Sequence, residues 1–165
     1  MQLLCVLSLF AALVPGPQTT APKTPPAAKA PAAAKPAGAA RTIELTGGDD
    51  MKFNLAQIEA KPGETLRVVV KNVGTIPKIA MGHNFVLLTL GSDAAAFSNA
   101  AVMASATEYI PQDQKAKVIA STKLTGPGET AEVTFKVPAK PGSYPFLCSF
   151  PGHFTAGMKG QLVVK

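Results

Sequence analysis

The chain has 165 residues, of which 47% are hydrophobic and 6% aromatic, with a formal net charge of +6. This size and composition suit one domain with one modest hydrophobic core. Four basic residues and no acidic residue lie in the first 41 positions. A nucleic-acid-binding protein concentrates its basic residues on a patch with recognisable motifs. The charge distribution therefore counts against nucleic-acid binding.

The N-terminal segment, residues 1–16, contains an almost wholly apolar run from Leu3 to Val14. Such a run is too short to cross a bilayer comfortably as a helix and is typical of the apolar region of a secretory signal peptide. We therefore predict export to the periplasm or the cell surface, with residues 1–16 acting as a signal peptide or an N-terminal anchor. Lipid attachment at Cys5 is a further alternative.

Residues 17–40 are rich in proline and alanine, with scattered lysines. A segment of this composition has too little apolar surface to form a packed core, and it is expected to be an extended, disordered linker. If the N-terminal segment is retained, the linker would tether the following domain to a membrane.

From residue 41 to residue 165 the sequence changes to strand patterns. In residues 66–71 and 131–137 apolar side chains recur at every second position, which indicates strands that bury one face. Pro-Gly turns separate several such segments, and this favours an all-β sandwich or barrel. The sequence Ser92-Asp93 can cap a helix, so we expect a helical insertion over residues 93–107. Further strands are predicted over residues 84–90, 144–148 and 160–164.

A candidate metal site comes from the rarest residue types of the domain. Its histidines are His83 and His153, its cysteine is Cys148, and the segment 148–158 reads C-x4-H-x4-M, ending at Met158. Thiolate and thioether sulfur suit cuprous copper, whereas imidazole suits both oxidation states of the metal. Two histidines, one cysteine and a distant methionine are therefore the ligand set of a blue-copper site.

Other functions remain possible at this point. A structural zinc site would use four strong ligands and rarely a methionine, and a Cys–His hydrolase would leave Met158 without a role. Copper storage or delivery in the periplasm, and a metal-free structural sandwich, are two further alternatives. Copper is favoured because all the histidines and the cysteine of the domain fall into one ligand pattern.

The segments 81–87, 148–153 and 158–160 resemble those of the azurin family of cupredoxins, and the similarity extends over roughly residues 42–165. The spacing from His153 to Met158 is one residue longer than in azurin and is similar to that of auracyanin. The resemblance implies a Greek-key β-sandwich. It also implies one copper ion that alternates between Cu⁺ and Cu²⁺, and outer-sphere transfer of single electrons without enzymatic chemistry.

The resemblance also implies a role for each matching residue. His83, Cys148 and His153 match the equatorial copper ligands, Met158 matches the axial ligand, and Gly82 matches the residue whose carbonyl oxygen approaches weakly from the opposite side.

Residues around the ligands also have expected roles. Asn84 and Ser149 are expected to support the two ligand segments through hydrogen bonds. His153 is expected to be the exit for the electron, inside an apolar docking patch for cytochrome-type or copper-containing donors and acceptors. By the resemblance, that patch consists of Met51, Ile76, Met81, Phe150 and Gly152.

Overall fold

The structure is a computed structural model that describes residues 40–165. The predicted signal or anchor segment, 1–16, lies outside the described residues, as does the linker except for its last residue. No helix among residues 40–165 has the length and apolar character needed to cross a membrane.

Within residues 40–165, eight strands form two sheets. Strands β1, β3 and β6 form a three-stranded sheet in the order β1-β3-β6, and the other five form a sheet in the order β2-β8-β7-β4-β5. The chain passes from one sheet to the other repeatedly, and this architecture confirms the predicted all-β sandwich. The strands are β1 (Arg41–Gly47), β2 (Gln57–Ala60), β3 (Thr65–Asn72), β4 (Val86–Leu88), β5 (Val118–Ser121), β6 (Thr130–Lys136), β7 (Gly142–Leu147) and β8 (Lys159–Val164).

The alternation seen in the sequence places one face of β3 in the core. Leu66, Val68 and Val70 are fully buried, because successive side chains of a strand point to opposite sides of the sheet. On the antiparallel neighbour β6, Val133 lies opposite Val68 and Phe135 lies opposite Leu66.

The core between the sheets contains several phenylalanines whose rings pack against one another. The ring of Phe85 lies 6.5 Å from that of Phe135 and 5.4 Å from that of Phe146. Each fully buried phenylalanine contributes about 1.5–3 kcal/mol by its removal from water. Phe85 directly follows the residues of the candidate site, so this packing fixes the segment that carries His83.

Short helices complete the fold. The predicted helical insertion begins as expected, because the Asp93 carboxylate caps the helix by accepting the backbone N–H groups of Ala95 and Ala96 at 2.9 Å. The α-helix ends at Ala101 rather than Thr107, since Phe97, Ser98 and Ala101 are its buried residues and the following side chains face solvent. The α-helices are α1 (Lys78–Met81), α2 (Ala94–Ala101) and α3 (His153–Ala156), and 3₁₀ helices cover Ser105–Thr107 and Gln112–Lys117.

Candidate metal centre

His83 is fixed by a backbone bridge to Thr125, which follows β5. The His83 N–H donates to the Thr125 carbonyl at 3.0 Å, and the Thr125 N–H donates back at 2.7 Å. The Thr125 hydroxyl also donates to the His83 carbonyl at 2.8 Å. Because His83 is fully buried, these three bonds leave its backbone little freedom, and the ring projects from a rigid base.

The other three candidate ligands lie on the loop from β7 to β8. The Cys148 N–H donates to the Met158 carbonyl at 3.0 Å, and the Met158 N–H donates to the His153 carbonyl at 2.9 Å. The loop therefore closes on itself. Gly152 and Gly157, at the two ends of α3, have φ angles of 84° and 109°, a left-handed conformation that glycine adopts without steric cost.

The donor atoms of the two histidines and the cysteine converge on one point. The Nδ1 atoms of His83 and His153 are 3.2 Å apart, and the Cys148 Sγ is 3.5 Å from Nδ1 of His153. All three donor atoms lie within 4.8 Å of one another. Nitrogen and sulfur ligands at ordinary metal distances of about 2.0 and 2.3 Å stand about 3.5–3.7 Å apart in a trigonal plane, so the spacing fits a single ion.

Met158 is fully buried and lies beside the His83 ring. A Cβ atom placed on Gly47 would be 2.4 Å from Cε of Met158 and 3.1 Å from Cδ2 of His83, so both side chains contact the same glycine. The carbonyl oxygen of Gly82 is 3.9 Å from the Cys148 Sγ. The structure thus brings all five residues of the predicted ligand set to one end of the sandwich.

Burial makes the metal-free cluster electrically neutral. It lowers the pKa of His83, and together with the charge of His83 it lowers the pKa of His153 to about 4. Burial also raises the pKa of the Cys148 thiol to about 12. At neutral pH the imidazoles therefore keep free lone pairs, and the thiol must lose its proton when a metal binds. Two imidazoles, a thiol and a buried thioether form a donor set that suits copper better than zinc.

Asn84 joins the His83 segment to the Cys148 loop. Its side-chain oxygen accepts the Ser149 N–H at 2.9 Å, and its side-chain nitrogen donates to the Ser149 hydroxyl at 2.9 Å. The Asn84 backbone N–H points at the Cys148 Sγ at 3.5 Å. These bonds place Asn84 and Ser149 where hydrogen bonding to a thiolate tunes a metal site.

The residues of the expected docking patch differ in exposure. Ile76 and Gly152 are exposed, and Met51 and Met81 are half-buried. Phe150 is only 7% exposed and His153 only 2%. Their ring centroids are 4.8 Å apart, so Phe150 packs as core beside the His153 ring.

Two site-adjacent features have no clear signal in the sequence. Asn72, which is 1% exposed, donates from its side chain to the Thr125 carbonyl at 3.0 Å and accepts the Gly74 N–H at 2.9 Å. Glu108 and Tyr109 have left-handed backbones and contact residues of both ligand segments. A polar residue at a strand end and two ordinary residues in a loop carry no pattern that would predict these contacts.

Comparison with known proteins agrees with this geometry. Residues 39–165 match the model of the family described as copper-binding proteins, plastocyanin/azurin family. The chain is 38% identical over 127 residues to azurin of Pseudomonas denitrificans, covering 75% of this chain and 98% of azurin. It is 39% identical over 128 residues to outer membrane protein H.8 of Neisseria meningitidis serogroup B, covering 76% and 67% of the two chains.

The fold is similar to that of a solved cupredoxin. The crystal structure of dithionite-reduced auracyanin from Roseiflexus castenholzii superposes with a TM-score of 0.68 at 36% identity, covering 78% of this chain and 99% of auracyanin. The family match and the convergent His-Cys-His cluster together confirm the expected family, its Greek-key sandwich and its copper cofactor. The chain belongs to the plastocyanin/azurin family of copper-binding proteins, the blue-copper electron carriers.

Proposed function

We propose that His83, Cys148 and His153 hold one copper ion in a plane, with Met158 as the axial ligand and the Gly82 carbonyl as a weak contact opposite it. The observation that carries this assignment is the convergence of two buried Nδ1 atoms and one buried Sγ within 4.8 Å. When bound, copper supplies the redox centre, since it alternates between the +1 and +2 states.

The protein's contribution is to keep the ligands in place during the change of charge. The Thr125 bridge holds His83, and the backbone bonds from Cys148 and Met158 close the ligand loop. Asn84 joins these two parts through Ser149. A site held this way needs little rearrangement on electron transfer, and the hydrogen bonds around the sulfur tune its potential.

Electron exchange takes place by outer-sphere transfer and makes or breaks no covalent bond, so the protein acts as a carrier and not as an enzyme. The electron leaves through His153 toward the apolar docking patch, where Ile76 and Gly152 face solvent. Partners are redox proteins, of cytochrome type or containing copper. Weak redox encounters use small interfaces, which allow fast release of the partner.

The domain works outside the cytoplasm, in the periplasm or at the cell surface, and residues 1–16 act either as a signal peptide or as an N-terminal anchor. A similar protein, from Neisseria meningitidis, is named an outer membrane protein. Strand β1 begins at Arg41, whose guanidinium donates to the Glu64 carboxylate at 2.7 Å, and ends at Gly47 beside the candidate site. Seven residues of strand separate these ends by about 20 Å, so Arg41 lies about that far from the copper end of the strand.

Copper titration of the purified, metal-free protein tests the ligand assignment. We expect one cupric ion per chain to produce an intense blue absorption band, because a thiolate coordinates the metal. The variant Cys148→Ser should remain colourless, and Cys5→Ser, which removes the chain's other cysteine, should turn as blue as the unmodified protein. A pale complex that chelators strip easily would contradict the assignment and favour copper delivery.

A further inference from the structure

Two neighbouring residues after the helical insertion have an unusual backbone. Glu108 and Tyr109 have φ angles of 58° and 61°, in a left-handed region that non-glycine residues rarely adopt because of steric crowding. Such outliers persist when surrounding contacts over-determine them, and they concentrate at functional sites. The contacts made by this pair therefore decide whether it has a role.

The backbone of Glu108 reaches the cysteine side of the site. Its carbonyl accepts a hydrogen bond from the side-chain nitrogen of Asn84 at 3.1 Å. The same nitrogen donates to the Ser149 hydroxyl at 2.9 Å, so its two protons are divided between the insertion and the ligand loop. Asn84 also directs its backbone N–H at the Cys148 Sγ. The left-handed turn at Glu108 thus fixes the amide that holds the cysteine segment.

The carboxylate of Glu108 reaches the segment that carries the first histidine. It accepts the backbone N–H of Leu124, and the Leu124 side chain covers Gly82 so closely that a Cβ on this glycine would lie 2.6 Å from Cδ2 of Leu124. Leu124 directly precedes Thr125, which forms the backbone bridge to His83.

The ring of Tyr109 reaches the second histidine. Its centroid lies 4.9 Å from that of Phe150 in an edge-on arrangement, and the Phe150 ring lies 4.8 Å from the His153 ring. Aromatic pairs in this geometry attract one another beyond the effect of burial alone. The Tyr109 N–H donates to the Ala104 carbonyl at 2.9 Å. This bond connects the three aromatic rings, of Tyr109, Phe150 and His153, to the helical insertion.

We propose that Glu108 and Tyr109 form a positioning element that holds His83, Cys148 and His153 in their mutual arrangement from the side of the helical insertion. The proposal rests on the copper function proposed above and adds residues outside the ligand segments to the set that determines the metal's properties. The pair acts on the ligands through Asn84, Leu124 and Phe150. Its strained backbone is maintained by three contacts, which lead to both ligand-bearing parts of the chain, the His83 segment and the loop from Cys148 to Met158.

The aromatic contact is tested by Tyr109→Leu and Tyr109→Phe. Without the ring, Phe150 and His153 lose their support, so Tyr109→Leu should lower copper affinity by about tenfold, as is usual when residues that orient ligands are changed. It should also alter the electron paramagnetic resonance spectrum of the oxidised protein and shift its reduction potential. Tyr109→Phe keeps the ring and should restore all three measurements.

A control variant in the helical insertion distinguishes a specific effect on the metal site from a general loss of stability. Phe97 is fully buried in a second core cluster with Val86, Leu88 and Leu147, whereas Phe150 and Tyr109 belong to the first core cluster. Phe97→Leu should lower the melting temperature of the metal-free protein while leaving the potential and the resonance spectrum unchanged. If Tyr109→Leu changes only the melting temperature, as is expected of the control, then Glu108 and Tyr109 contribute only to packing and the proposal is overturned.

The contacts of Glu108 are tested in the metal-free protein by amide hydrogen exchange. Glu108→Ala removes the carboxylate that accepts the Leu124 N–H, so this N–H should exchange faster, whereas Glu108→Gln keeps an acceptor and should stay close to the unmodified protein. Unchanged exchange in Glu108→Ala would remove this residue from the element. If the unmodified protein forms no blue complex, the copper function itself fails, and that outcome is distinct from every result with the variants.

Discussion

Substitution of Gly47 by alanine tests how tightly the site is packed on the side of Met158. A Cβ atom at position 47 would lie 2.4 Å from Cε of Met158, and 3.1 and 3.2 Å from Cδ2 and Cγ of His83. Carbon atoms pack comfortably at about 3.5–4.0 Å, so the methionine methyl group must move by about 1 Å or more. The His83 ring needs a smaller shift.

The cost should be small because methionine is flexible. Its unbranched chain adapts to irregular space, so we expect the low end of the usual overpacking penalty, about 1 kcal/mol in the free energy of unfolding of the metal-free protein. The displaced thioether should also change the reduction potential and the resonance spectrum of the copper-loaded protein, since the axial ligand tunes a blue-copper site.

The neighbouring glycine is a matched control. A Cβ atom on Gly48 would meet its nearest atoms, in Asp50 and Val73, at 3.5 Å, which is ordinary contact. Gly48→Ala should therefore leave both the stability and the potential unchanged. Chemical denaturation and voltammetry of the two variants make the comparison, and equal behaviour of Gly47→Ala and Gly48→Ala would refute the packing argument.

Three further predictions concern protons and docking. At pH 7, binding of cupric copper should release about one proton. This proton comes from Cys148, because the pKa of its thiol is raised to about 12, while the histidines are already neutral. Calorimetry in two buffers measures the number of protons released, and Cys148→Ser should release none. The metal-free protein should lose roughly 1–2 kcal/mol of stability between pH 7 and pH 5. In that range the unfolded chain takes up a proton at His153 near the ordinary pKa of 6.5, whereas the folded chain does so only near 4. Denaturation curves that show no loss of stability on acidification would contradict the lowered pKa of His153. Met81→Lys, at a half-buried position of the docking patch, should slow electron exchange with partner proteins while the blue colour persists, and unchanged rates in stopped-flow experiments would remove the patch from the mechanism.

The sandwich was predictable because its central strands carry a clear period. Leu66, Val68 and Val70 recur at every second position and are all buried, and the expected segments 84–90, 144–148 and 160–164 contain or overlap β4, β7 and β8. Strands β1, β2 and β5 were not predicted individually, because β2 and β5 have only four residues each and β1 carries only two large apolar side chains. The start of helix α2 was predictable from its capping residue, but its end was not, because the end depends on the burial of Phe97 and Ala101.

The candidate site was predictable to the extent that ligand types are rare in this sequence. His83, Cys148 and His153 stood out because the domain has no other histidine or cysteine, and the regular spacing added Met158. Exposure was harder to foresee, since nothing in the sequence shows that Phe150 packs beneath the surface. The role of Glu108 depends on a left-handed backbone conformation. A glycine at this position would have predicted that conformation, but a glutamate does not.

X-ray absorption of the copper-loaded protein in both oxidation states tests the central claim, that the ligands stay in place while the charge of the metal changes. We expect two nitrogen ligands and one sulfur ligand at short range in the oxidised and the reduced protein, with nearly unchanged distances, because His83 and the loop from Cys148 to Met158 are fixed by backbone hydrogen bonds. Loss of a nitrogen ligand on reduction, or a sulfur ligand absent from either state, would contradict it.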